Sequence, residues 1–113
     1  MKILSHWIVE ADDSRMSPAH LIHAIGRKID TLLSIEQIGD AMCGTCVIDT
    51  IRVTIAACQM HARCVLDYEA TDFNGTDGTR LDKVNATFDE VFKRCGLTEG
   101  ACFLRASDEK RRD

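Results

Sequence analysis

Residues 45 to 69 contain no glycine, proline or asparagine, so the chain must cross this stretch without the residues that ordinarily make tight turns. Two readings compete there. The run TIRVTI alternates with period two and is rich in β-branched residues, which is strand character. Yet Ile48, Ile51, Ile55, Cys58, Ala62 and Val65 recur at intervals of three and four, and Cys46, Val53, Met60 and Cys64 make a second stripe. That is the spacing of a helix apolar on two faces and therefore central. With no turn residue to close a hairpin, the spacing predicts one long helix near 46 to 69. Strands over 47 to 69 would give an α+β sandwich instead.

The flanking segments read as helical too. Ser17-Pro18 is a start signal with proline at the first helical position, followed by Leu21, Ile22, Ile25, Ile29, Leu32 and Leu33, which predicts a helix over roughly 18 to 33. Ser34 and Gln37 form a capping-box pair opening a shorter helix up to Gly44. Ile3, Leu4, Trp7, Ile8 and Ala11 fit a helix face, with a strand from Lys2 as the alternative. TDFNGTDGT is a loop, after which Thr79 caps a helix carrying Leu81, Val84, Phe88, Val91 and Phe92 to Cys95-Gly96. The expected fold is a compact all-α bundle around two antiparallel helices near 46 to 69 and 79 to 95. One helical domain would span 1 to 106, and 107 to 113 would be a charged tail.

Charge and cysteine content narrow the function classes. A net charge of -4, with basic residues scattered along the chain, argues against nucleic acid as a partner. No apolar run is long enough to cross a bilayer, and MKILSHWIVEADD lacks the regions of a signal peptide. Six cysteines and the sequons at Asn74 and Asn85 suit an oxidising compartment, so secretion is slightly favoured over the cytoplasm.

Candidate chemistry centres on AACQMHARC, where His61 lies three residues from both Cys58 and Cys64. The plainest reading is a half-buried histidine among small apolar thiols. A zinc site would use Cys43, Cys46, His61 and Cys64 as two soft pairs. CGTC could also be a redox dithiol, although the single proline, Pro18, offers no partner to such a pair. Asp72, Asn74, Thr76 and Asp77 resemble the start of a calcium loop but lack its glycine and glutamate. His20 and His23 read as surface histidines one turn apart, and LSIEQIGDAMCGTC as a faint helix-turn-helix opposed by the acidic charge.

Reading on from ACQMH, the chain gives Tyr68, then RLD at 80 to 82, FDEVFKRC at 88 to 95, and Cys102. Over residues 57 to 102 this resembles the secreted phospholipase A2 superfamily, nearest its small all-helical microbial branch. The resemblance implies His61 as the general base activating water, Asp82 as the carboxylate orienting it, and Tyr68 in the supporting hydrogen-bond network. It also implies a bridge from Cys58 to Cys43 or Cys46 and another from Cys95 to Cys102. Ala62 stands where the family has its calcium-binding aspartate, so calcium binding and ester hydrolysis are expected to be feeble or lost. The expectation is a phospholipase A2-like protein binding lipid or a protein partner. The alternative is a small non-enzymatic interaction protein with structural or zinc-binding cysteines.

Overall fold

The computed structural model describes residues 3–11, 16–29, 31–60, 63–74 and 78–99. Strand β1 (Ile3–Ala11) is followed by helix α1 (Pro18–Lys28), the strands β2 (Ser34–Ile38), β3 (Ala41–Ile48), β4 (Ile51–Met60) and β5 (Arg63–Asp72), helix α2 (Thr79–Arg94) and a short strand β6 (Leu97–Glu99). The six strands form one sheet in the order β2-β3-β4-β5-β1-β6, antiparallel at every pairing. The all-α expectation is thereby overturned: the described residues are mostly antiparallel sheet with two helices.

The long central helix is absent because period two wins over period three-to-four. Ile51, Val53, Ile55 and Ala57 of β4 are buried while Arg52, Thr54, Ala56 and Cys58 are exposed or half-buried. Cys64, Leu66, Tyr68 and Ala70 of β5 repeat the alternation, as expected for strands with one covered face. The turn that seemed to be missing is made by Asp49 and Thr50 between β3 and β4, with Asp49 at φ 60. Aspartate is among the few non-glycine residues that adopt this left-handed backbone with little penalty. The capping-box pair Ser34 and Gln37 lies instead on β2, and Gly39 at φ 60 turns that strand back into β3.

Both helices cover the same sheet face. α1 begins as its sequence predicts, with Ser17 Oγ accepting from His20 N at 3.1 Å and Pro18 at the first position. It stops at Lys28, five residues short of the predicted end, because Leu33 is needed below: it is buried and packs toward Gly26 of α1 and Gly44 of β3. Leu21, Ile22 and Ile25 lie fully buried on β3 and β4. α2 matches its predicted span, capped by Gly78 in place of Thr79. It lays Leu81, Val84, Phe88, Val91 and Phe92 over β5, β1 and β6. Tyr68 meets Phe88 and Phe92 at ring separations of 5.4 and 5.5 Å.

One polar chain crosses this core. Tyr68 donates its hydroxyl to Asn85 Oδ1 at 2.8 Å, and Asn85 Nδ2 donates to Ser5 Oγ at 2.8 Å. Each member is buried, so each needs the others in place of water. Ser5 and Asn85 are 80 positions apart in sequence.

The expected disulfides between Cys58 and Cys43 or Cys46 are not formed. Cys43, Cys46, Cys58, Cys64 and Cys95 are free thiols, and alternation along the strands sends Cys46 to the helix side of the sheet and Cys43 and Cys58 to the other. Cys102, the expected partner of Cys95, lies outside the described residues, as does the tail 107–113.

Candidate functional site

Among the described residues nothing covers the sheet face turned away from α1 and α2. Strand register fixes what that face presents. Glu36 of β2 stands opposite Cys43 of β3, Cys43 opposite Ala56 of β4, Ala56 opposite Asp67 of β5, and Asp67 opposite Ile8 of β1. One row along, Ser34, Thr45, Thr54, Glu69 and His6 follow in the same order. The middle strands thus carry short side chains, Cys43, Thr45, Thr54, Ala56 and Cys58, while the strands on either side carry carboxylates.

The result is a shallow trough running along β3 and β4. Its walls, Glu36 and Asp67, are three strand spacings apart, about 14 Å at the usual 4.7–4.9 Å between neighbours. Glu36 and Glu69 are exposed and make no ion pair among the described residues. Asp67 is held by His6, whose Nε2 lies 2.6 Å from its Oδ1. Arg52, at one end of the floor, stacks its guanidinium over Phe73 at 5.4 Å from the ring centroid.

Four of the five exposed large hydrophobics among the described residues lie on or beside this face; the fifth, Leu32, lies in the connection between α1 and β2. Ile38 (58 %), Val47 (60 %) and Met60 (51 %) are large hydrophobics left in solvent, and all three occupy alternating positions that point away from the helices. Phe73 (48 %) joins them beneath Arg52. A scatter of exposed hydrophobics is ordinary, whereas their collection on one uncovered face marks a contact surface.

The residues expected from the sequence fall elsewhere. His61 and Ala62 lie outside the described residues. Asp82 is exposed in the first turn of α2, and Tyr68 is buried with its hydroxyl on Asn85. The antiparallel helix pair implied for His61 and Asp82 does not form, because residues 46–48, 51–60 and 63–69 are strands. Of the zinc alternative, Cys43 is on the open face and Cys46 and Cys64 are under the helices, so these thiols do not converge. Among the described residues no three of His, Cys, Asp and Glu come together around a metal-sized space. Burial raises the Cys64 thiol to about 11, helped by neighbouring Cys58, and burial also raises Cys46. Neutral thiols of this kind are poor nucleophiles and poor ligands.

Of the other sequence motifs, His20 and His23 are exposed on α1, and CGTC and the supposed helix-turn-helix lie within β2 and β3. Asp72 is buried and accepts from Thr50 Oγ1 at 2.7 Å and from Asn74 N at 3.0 Å, while Thr76 and Asp77 lie outside the described residues. No helix among the described residues is long and apolar enough to cross a membrane. No family model matches the chain, and no curated protein resembles it in sequence.

Proposed function

We propose that the protein is a non-enzymatic interaction domain whose open sheet face receives a basic amphipathic helix of a protein partner. The observation that carries this reading is the trough: small residues along its floor, carboxylates on both walls, and exposed hydrophobics at its ends. An α-helix with its side chains is about 10–12 Å across, which fits between walls about 14 Å apart. Short floor side chains let a helix approach the sheet closely. Lysines and arginines flanking its apolar stripe would meet Glu36 on one side and Asp67 and Glu69 on the other. Two alternatives are disfavoured by charge. A second copy would bring one acidic face against another, and an anionic lipid surface would be repelled in the same way.

The test is a titration with a synthetic Lys/Leu amphipathic helix, followed by amide chemical shifts, beside a Glu/Leu counterpart of equal length. Binding is expected at Thr45, Thr54, Ala56 and Glu69, weakening with added salt. Ala56→Arg, which fills the floor, and the pair Glu36→Lys with Glu69→Lys, which reverses one wall and neutralises the other, should each abolish it without lowering thermal stability appreciably. Equal binding of the acidic peptide, or shifts confined to the helix side, would overturn the proposal.

A further inference from the structure

The helix side of the sheet carries a second feature, independent of the open face. Between the end of α1, the β3-β4 turn and the start of α2 lies a cleft of about 420 Å³, within the usual range for small-molecule sites. Its floor is apolar: Ile29, Ile48, Ile51, Val84 and Phe88. Among the described residues, Lys28, Arg80 and Lys83 stand on its rim with one acidic residue, Asp49. In a chain of net charge -4, the described lining therefore carries two more positive than negative charges. None of the three cations forms an ion pair among the described residues.

One of those cations is poorly placed for the helix that bears it. Arg80 stands in the first turn of α2 beside Asp82, with Lys83 just beyond, where the helix presents the positive end of its dipole and anionic side chains such as Asp82 are favoured. The cap residue Gly78 supplies no side-chain acceptor to the first-turn N–H groups. Arg80 is also steadied from behind: its Nη1 lies 3.5 Å from Thr50 Oγ1, which in turn donates to the buried Asp72 carboxylate at 2.7 Å. A cap residue with no side chain to offer, cations at the cleft rim unpaired among the described residues, and an apolar cavity beside them share one explanation in a bound anion with a hydrocarbon body.

We infer that this cleft binds a small amphipathic anion, with its carboxylate or phosphate between Arg80, Lys83 and Lys28 and its apolar part over Ile51, Val84 and Phe88. The anion could be a free acid or a phosphate monoester, and the probes separate these. Decanoate, decyl phosphate, decanol and decylamine are titrated into the intact protein, with amide shifts as the readout. Decanoate or decyl phosphate should perturb residues 48–51 and 80–88. Decanol and decylamine should bind at least about tenfold more weakly, the loss expected when charge-assisted hydrogen bonds are absent. Arg80→Ala combined with Lys83→Ala should remove the preference for the anions, while Lys93→Ala, at the far end of α2, should leave it unchanged. Decanol binding as well as decanoate, failure of both anions to bind, or an unchanged preference in the double variant would each overturn the inference. Shifts on the open face alone would overturn it too, and none of these outcomes bears on helix docking there.

Discussion

Gly44 offers a sharp test of the packing that holds β2 and β3 under α1. A Cβ added there would lie 2.8 Å from Leu33 Cδ2, 2.9 Å from Cγ and 3.1 Å from Cδ1. Rotating the end of Leu33 cannot relieve all three, because Cγ moves only if the side chain turns at its root or the backbone shifts. By propensity alone alanine should improve a strand interior by roughly 0.5–1 kcal/mol. Overpacking a filled core costs typically about 1–3 kcal/mol, so Gly44→Ala should be destabilising on balance by up to about 2.5 kcal/mol. Removing the obstacle reverses the sign. Leu33→Ala is itself expected to cost about 2–5 kcal/mol, but in that background Gly44→Ala should be neutral or slightly stabilising. The coupling between the two sites should then be about 1–3 kcal/mol. Urea unfolding of the wild type, both single variants and the double variant, followed by far-ultraviolet circular dichroism, gives the cycle directly. A Gly44→Ala protein more stable than wild type, or single effects that simply add, would refute the packing argument.

Tyr68→Phe deletes one hydroxyl and leaves Asn85 Oδ1 without that donor in the core, a loss of about 1–3 kcal/mol readable in the same unfolding assay; Phe as stable as Tyr would mean that Asn85 finds another partner. Alkaline titration should expose the buried thiols. The Cys64 thiol titrates near 11 in the fold against 9.0 ordinarily, so its contribution is intact below pH 9 and is lost as pH rises toward 11, when only the unfolded chain releases the proton. The change is on the order of 2 kcal/mol, and Cys64→Ala should flatten the profile in that window if the assignment is right. Asp49→Gly removes a side chain from a left-handed backbone position and should change stability by less than about 1 kcal/mol, because the small strain relieved is offset by the greater freedom of glycine in the unfolded chain. It should also tighten anion binding in the cleft, since it removes a carboxylate from the rim; weaker binding would argue that Asp49 contacts the ligand.

Much of the molecule's helical part was legible in the sequence. Ser17-Pro18 opened α1, and the stripe from Leu81 to Phe92 located α2, because amphipathic helices with recognisable starts write their period plainly. The central sheet was ambiguous for a physical reason. On β4 and β5 the open face bears small or weakly polar residues such as Ala56, Cys58 and Val65, which count as apolar in any pattern and add false steps of three and four. Gly44 looked like a helix stop but is a point of close approach for Leu33. The Asp49-Thr50 turn gave no glycine or proline to notice. The trough itself was written in Thr54, Ala56 and Cys58 at every second position of β4, a signal that has meaning only once the segment is known to be a strand. The cleft was not legible, since Lys28, Asp49 and Arg80 meet only through the packing of both helices on the sheet.

The position of β1 between β5 and β6 also sets the order in which the chain can fold. The strands β2 to β5 form a meander of neighbouring hairpins, which can zip up through local contacts within microseconds to milliseconds. β1 is synthesised first, yet its partner β5 comes only after the whole meander, and α2 must follow before the Ser5–Asn85–Tyr68 chain closes. The amino-terminal strand therefore waits, and the outer edge of β5 stays unpaired until it returns. Nucleation is then expected in β4 and its neighbours, with β1 docking late. Mild substitutions such as Ile55→Val should chiefly slow folding, whereas Val9→Ala should chiefly hasten unfolding. Chevron kinetics showing the opposite partition would place β1 in the nucleus.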